Sequence, residues 1–338
     1  MKLTIAKKKK QVFAAFAAEE TFGLCKRLEV KNQRGYIGQT LREYTDHIKT
    51  LSSLEGKTHI ALSVIAGNSK LSAAQLKKLL ISELTDYLSR FFQLPVVLRK
   101  DQFSLKGYEG DRDEYEGSVQ YNIGWLIIDF LVPALPGDAY VHAGITMQDL
   151  MTRQEGWITG VSGLADEELR CCLITTDGFN DTPSAAPSTS SSSSTTSSNH
   201  FLRRLISTFS HEILHALGFD HCEFFECLMN EGTESIEDND KTPLYLCPLC
   251  SLKLEKLFEE LRPFDPIKRT NDLLSFYERF HLAEEAAHLK KIIQWSHAAP
   301  SRGEKRKLDE EEDGDKVTKR SRTEVRRSGR GTKIVKKD

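Results

Sequence analysis

The string His211-Glu212-Ile213-Leu214-His215 constrains this 338-residue chain more than any other feature. It lies in an apolar stripe, Leu202, Leu205, Ile206, Phe209, Ile213, Ala216 and Leu217, that repeats at helical spacing and stops at Gly218. Four residues advance roughly 400° around a helix, so the imidazoles of His211 and His215 leave one face a turn apart, as a shared metal requires. Gly218 can take a left-handed conformation, which turns the chain sharply and returns His221 toward the same ion. Three histidines with one position left for water form the ligand set of catalytic zinc. Glu212 adjoins a ligand without needing to bind the metal, and its natural role is general base. From average residue usage HExxH arises by chance in roughly one chain in a hundred of this size, and the added Gly and third His lower that by roughly several hundredfold. The spacing therefore outweighs the reading of two ordinary polar histidines on a helix face.

The residues after His221 sharpen the picture. The chain continues Cys222-x4-Cys227-x-Met229 and then Cys247-x2-Cys250, so four of its seven cysteines form two close pairs. At the N-terminus Lys7 to Lys10 precede a short apolar patch, Val12 to Ala18, that acidic Glu19 and Glu20 end at once. An amphipathic helix fits this better than a secretory signal. Clustered cysteines in a reducing compartment bind metal more often than each other, and this spacing suits a closed, tetrahedral, structural zinc site. Cys25, Cys171 and Cys172 read as small apolar side chains without a role.

Hydrophobic residues are 39% and charged residues 28%, enough for a packed core, and no apolar run reaches the ~18 residues of a spanning helix. Helical patterns at Leu41 to Leu51, Leu71 to Phe92 and Tyr121 to Val132 alternate with strand patterns at Thr58 to Ile65, Pro95 to Leu105, Ala139 to Leu150, Trp157 to Val161 and Arg170 to Thr176. Alternation of this kind predicts the α/β or α+β class. Leu252 to Leu261 and Asn271 to Trp295 predict further helices. Ser184 to Asn199 is a Ser/Thr tract expected to be a flexible surface insertion.

The residues from His211 to Cys250 resemble the archaemetzincins, a family marked by HExxHxxGxxHCx4CxMx17CxxC, and reproduce that string without a departure. The flanks Phe201 to Arg204 and Lys241 to Cys250, and the upstream segment Asp138 to Leu150, are similar too. The resemblance implies two zinc ions per chain: one on His211, His215 and His221, the other on Cys222, Cys227, Cys247 and Cys250. Met229 falls where the family places the methionine of its Met-turn, an apolar floor under the catalytic metal. The implied fold is a metzincin-like mixed twisted sheet with an active-site helix and a C-terminal subdomain stabilised by the four-cysteine site. Its edge strand, expected at Arg170 to Thr176, would pair with an extended peptide. The implied activity is hydrolysis of peptide bonds in a peptide or protein substrate, aminopeptidase-like in some members.

This divides the chain into an unassigned N-terminal extension (1–74), a catalytic domain (75–300) holding the insertion at 184–199, and a charged tail (301–338) expected to be disordered. The tail holds 14 Lys+Arg against 9 Asp+Glu, so the formal charge of −2 is the sum of a basic tail and an acidic body. Lys305-Arg306-Lys307 and, after an acidic spacer, Lys319-Arg320-Ser321-Arg322 resemble a bipartite import signal. The expected setting is nuclear or cytoplasmic, not secreted, with an import receptor as a partner, no membrane partner, and nucleic-acid contact disfavoured. The alternative from another class is a catalytically silent zinc module that binds a protein or nucleic acid. An intact Glu212 argues against it.

Overall fold

A computed structural model of the chain describes residues 38–50, 54–115, 118–154, 157–179, 193–231 and 240–298. The expected disordered tail at 301–338, with its two basic clusters, lies outside them, as do Lys7 to Glu20 and most of the Ser/Thr tract.

The strand β1 (His59–Ala66) is buried on both faces apart from its first residue, as the unbroken apolar run HIALSVIA requires. It pairs in parallel with β2 (Val96–Leu98) and β3 (Phe103–Ser104) on one side and with β6 (Ala139–Thr146) on the other. Beyond β6 lies β10 (Cys171–Thr175), parallel to it, and then β9 (Gly163–Asp166), antiparallel to β10. The order β2-β1-β6-β10-β9 gives the mixed sheet expected from the sequence, with β9 at its edge. Arg170 to Thr176 was the expected edge. Every residue of β10 is buried between two neighbours instead, so β9 takes that place.

Helices α1 (Leu41–Ile48), α2 (Ala73–Lys78) and α3 (Ile81–Phe92) precede β2, and α4 (Ile123–Leu126) runs into a π-helical turn at Ile127–Leu131. The long helix α5 (Ser193–Ala216) follows β10, and α6 (Pro248–Leu261), α7 (Pro266–Arg279) and α8 (Ala283–Ala298) complete the order. One face of the sheet and α3, α5, α6 and α7 enclose the main core, which includes Leu62, Phe91, Phe209, Phe258 and Phe276. The other face contributes Ile65, Cys171 and Leu173 to a smaller core beneath α4 and the π turn. A second sheet adjoins that core, with β4 (Arg112–Tyr115), β5 (Ser118–Asn122), β7 (Leu150–Gln154) and β8 (Trp157–Gly160) in the order β4-β5-β7-β8.

Several boundaries move. Residue 75 is not a domain boundary, because β1 lies inside the sheet and Tyr44 and Ile48 of α1 belong to the main core. The helix expected over Leu71 to Phe92 is two, broken at Leu80, which has φ +50°. The helix expected from Tyr121 starts at Ile123, because Ser118–Asn122 is drawn into pairing with β4 and Asn122 caps the turn that follows. The tract expected to be flexible through Asn199 already belongs to α5 from Ser193. No helix among the described residues is long and apolar enough to cross a membrane.

Candidate active site

Helix α5 ends in a Schellman motif, and that ending builds the site. The amide of Phe219 donates to the Leu214 carbonyl at 3.1 Å and that of Gly218 to the His215 carbonyl at 2.9 Å. Gly218 holds the left-handed conformation, φ +83°, expected from its place in the sequence. The turn carries His221 back to His211 and His215, and one ring nitrogen of each of the three lies within 4.8 Å of the others.

Hydrogen bonds at the opposite ring nitrogens fix how these imidazoles face the centre. Nδ1 of His211 meets the Leu228 carbonyl at 2.9 Å, and Nδ1 of His215 meets the Phe219 carbonyl at 2.6 Å. A carbonyl only accepts, so both Nδ1 atoms carry the proton and both Nε2 atoms present lone pairs. Those two Nε2 atoms stand 2.9 Å apart. Two lone pairs so close repel unless a cation lies between them, which is the chemistry of a zinc-ligating pair with its outer hydrogen bonds in place. Burial and the neighbouring imidazoles hold the pKa of His211 at about 3 and that of His215 at about 4, so both stay neutral, as ligands must be.

The Glu212 side chain lies against the edge of the sheet. A Cβ on Gly163 of β9 would lie 2.8 Å from Glu212 Cγ and 2.9 Å from Oε1, so the edge backbone runs directly over this carboxyl. Desolvation there raises the Glu212 pKa to about 8 without a metal, and a nearby divalent cation would oppose that rise.

Cys222, Cys227, Cys247 and Cys250 are buried, and their sulfurs lie within 4.8 Å of one another. Cys222 Sγ and Cys247 Sγ stand 3.7 Å apart, far beyond a disulfide and close to the ~3.8 Å edge of a tetrahedron of sulfurs bound to zinc. Hydrogen bonds within the cluster push the Cys222 thiol strongly down and the Cys247 and Cys250 thiols up. Met229 is fully buried and adjoins Leu228, the His211 acceptor, and its own carbonyl takes the Cys222 amide at 2.7 Å.

The structure thus brings together both ligand groups expected from the sequence. It also adds residues the sequence reading missed. Asn230 donates to the carbonyls of Cys222 and Phe225 and accepts from the Cys227 amide, tying the loop between the two sites. Gly163 had no local signal, because its glycine is required by a helix distant in sequence.

A helix-borne histidine pair, a third histidine from the following turn and a glutamate under the edge of a mixed sheet form a donor set suited to one zinc ion beside a carboxylate. The sequence profile of Peptidase family M54 matches residues 191–256. Archaemetzincin-2 of Mus musculus is 27% identical over 202 residues, covering 55% of this chain and 54% of that protein. Archaemetzincin-2 of Rattus norvegicus is 31% identical over 160 residues, covering 42% of this chain and 44% of its own. The chain therefore spans about half the length of these curated relatives. The crystal structure of archaemetzincin from Methanopyrus kandleri aligns over 62% of this chain and 98% of its own at 17% identity, with a TM-score of 0.44. The stretch that carries both candidate sites is similar to the archaemetzincins and to the profile of Peptidase family M54.

Proposed function

We propose that the chain is a zinc metallopeptidase of metzincin type, with one zinc on His211, His215 and His221 and a second on the four cysteines. The observation that carries the reading is the facing pair of His211 and His215 Nε2 lone pairs, with Glu212 one residue away beneath the edge strand. The catalytic ion, when bound, acidifies a water and polarises the scissile carbonyl. A peptide or protein substrate lies along β9, whose outer edge offers main-chain hydrogen bonds. Glu212 takes a proton from the attacking water as its oxygen bonds to the carbonyl carbon. The same carboxyl then gives that proton to the amine nitrogen as the C–N bond breaks.

The finer parts of the reading are the aminopeptidase-like mode that the family resemblance implies and nuclear import through the basic clusters at 305–307 and 319–322. Cleavage-site profiling on free and N-blocked peptide libraries, run beside Glu212→Gln, tests the chemistry and the mode. The expected result is cleavage by the parent and a loss of about 100-fold or more in the variant, with two zinc ions per chain retained by metal analysis. Equal cleavage by both removes Glu212 from the mechanism. No cleavage by the zinc-loaded parent removes the hydrolase reading. Retention of a fluorescent fusion in the nucleus, lost on neutralising both clusters, tests the import reading.

A further inference from the structure

The N-terminal segment ahead of β1 makes contacts that its sequence did not announce. Thr40 and Glu43 form a capping box at the start of α1: the Glu43 amide donates to Thr40 Oγ1 at 3.3 Å and the Thr40 amide to Glu43 Oε2 at 2.7 Å. This fixes the backbone immediately after Gln39. The Gln39 side chain reaches the turn that carries the third histidine, where Nε2 donates to the Gly218 carbonyl at 3.2 Å. Its Oε1 accepts from Lys253 Nζ at 2.8 Å and faces the Asp220 amide at 3.5 Å. Lys253 stands on α6, whose first turn holds Cys250 and whose cap is Cys247. The ammonium is buried, 5.7 Å from the Tyr44 ring centre and 5.9 Å from that of Phe219, so the Gln39 oxygen matters to it.

Two further residues of α1 close on the same turn. Tyr44 donates its hydroxyl to the Leu217 carbonyl at 3.3 Å and packs on Phe219 with ring centres 4.6 Å apart. His47 lies 2.8 Å from Glu167, just past the edge strand, and this pair sits where a Cβ on Gly218 would go, 3.1 Å from the His47 ring. The carbonyls at 217 and 218 belong to the end of a helix, where the chain has run out of intrahelical donors. Segment 38–48 supplies them from outside.

We propose that Gln39 is a positioning residue for His221: its amide joins the Gly218–Asp220 turn to Lys253, locking the three-histidine site onto the helix that begins at the four-cysteine site. The proposal rests on the reading of His211, His215 and His221 as a zinc site. It makes residues 38–48 a support of the turn that carries His221 rather than an appendage.

The test uses the full chain and measures zinc affinity at the histidines by chelator competition, with the visible absorption of cobalt in the same site as a signature of ligand geometry. Gln39→Glu keeps an acceptor for Lys253 and removes the donor to Gly218. Gln39→Ala removes both, and if it fails to fold, Gln39→Glu decides. Arg42→Ala, on the exposed face of α1, is the control. The expected result is a roughly tenfold weaker histidine-site affinity and an altered cobalt spectrum in Gln39→Glu, an unchanged four-cysteine site, and parental behaviour in Arg42→Ala. Parental affinity and spectrum in Gln39→Glu overturn the proposal. So does an equal loss in Arg42→Ala, which would make the effect one of the helix alone. If the parent binds no metal at the histidines, the site reading itself fails and the proposal with it. If the parent binds zinc without cleaving peptides, the affinity comparison still decides the role of Gln39.

Discussion

Gly163 and Glu212 come from elements far apart in the chain, yet the missing side chain of one makes the space for the carboxyl of the other. A Cβ at 163 would lie 2.8 Å from Glu212 Cγ, 2.9 Å from Oε1 and 3.0 Å from Cδ, too close for either residue to keep its place. The edge strand and the carboxyl are thus held in one relation, which in the proposed mechanism sets the height of a strand-paired peptide above Glu212. Gly163→Ala should push Glu212 aside while leaving the three histidines as they are. The expected outcome is a fall in kcat of about 10- to 100-fold with zinc content unchanged, read by steady-state kinetics beside metal analysis. A variant with parental kcat would show that the carboxyl has room to spare.

Metal removal should be felt as lost stability. With Nδ1 of His211 and His215 both given to carbonyls, chelation leaves two Nε2 lone pairs 2.9 Å apart, and it leaves four buried sulfurs without their ion. A site held at one hundred times its Kd in free zinc contributes about 2.7 kcal/mol. Stripping the histidine site alone should therefore lower Tm by on the order of 5–10 °C for a domain of this size, and stripping both sites by more. Calorimetry before and after chelation, with recovery on adding zinc, measures it. An unchanged Tm after complete removal would contradict the coupling of these sites to folding.

Much of this site was legible because its signals are local. The helix period, the glycine stop and the histidine and cysteine spacings all lie within His211 to Cys250 and needed no knowledge of the rest of the fold. The strands β1, β6 and β10 were legible as apolar runs. Their order was not: β9 is the four residues Gly-Leu-Ala-Asp, too short and mixed to read as a strand, so β10 was expected at the edge it does not occupy. Ser118–Asn122 is strand because β4 and β7 pair with it from either side. Gln39 is the extreme case, since its partner Gly218 lies 179 residues away and no local pattern encodes that meeting. What the sequence reading lacked, in each case, was a contact made by tertiary pairing.

Buried His142 should make the fold acid-sensitive independently of either metal. Its ring bridges the Ser63 hydroxyl at 2.7 Å and the Leu131 carbonyl at 2.8 Å, and desolvation holds its pKa at about 4, below the ordinary 6.5. The unfolded chain takes up a proton there near pH 6.5, whereas the folded chain refuses it until about pH 4. The stabilising contribution is thus complete above pH 6.5 and is lost as pH falls toward 4, by about 3 kcal/mol in all. His142→Gln offers a donor and an acceptor without a titrating proton. Urea unfolding from pH 7 to pH 4.5 should give a shallower decline in this variant than in the parent, and parallel declines would assign the acid sensitivity elsewhere.

Asn230 offers the sharpest separation of loop order from ligand chemistry, because it ties the loop of the proposed cysteine site without supplying a ligand. Its Nδ2 donates to the Cys222 carbonyl at 2.7 Å and the Phe225 carbonyl at 2.9 Å, while Oδ1 accepts from the Cys227 amide at 2.8 Å. Cys222 follows His221 directly, so the loop that Asn230 closes begins where one ligand set ends and the other starts. Asn230→Asp keeps the acceptor and sets a negative oxygen against two carbonyls that have lost their donor. The expected cost is about 2 kcal/mol in stability. Zinc should also leave the histidine and cysteine sites together during chelator titration, at a lower chelator concentration than in the parent. Loss from the cysteines alone, with the histidine site holding its parental affinity, would mean that the loop does not transmit its order to His221.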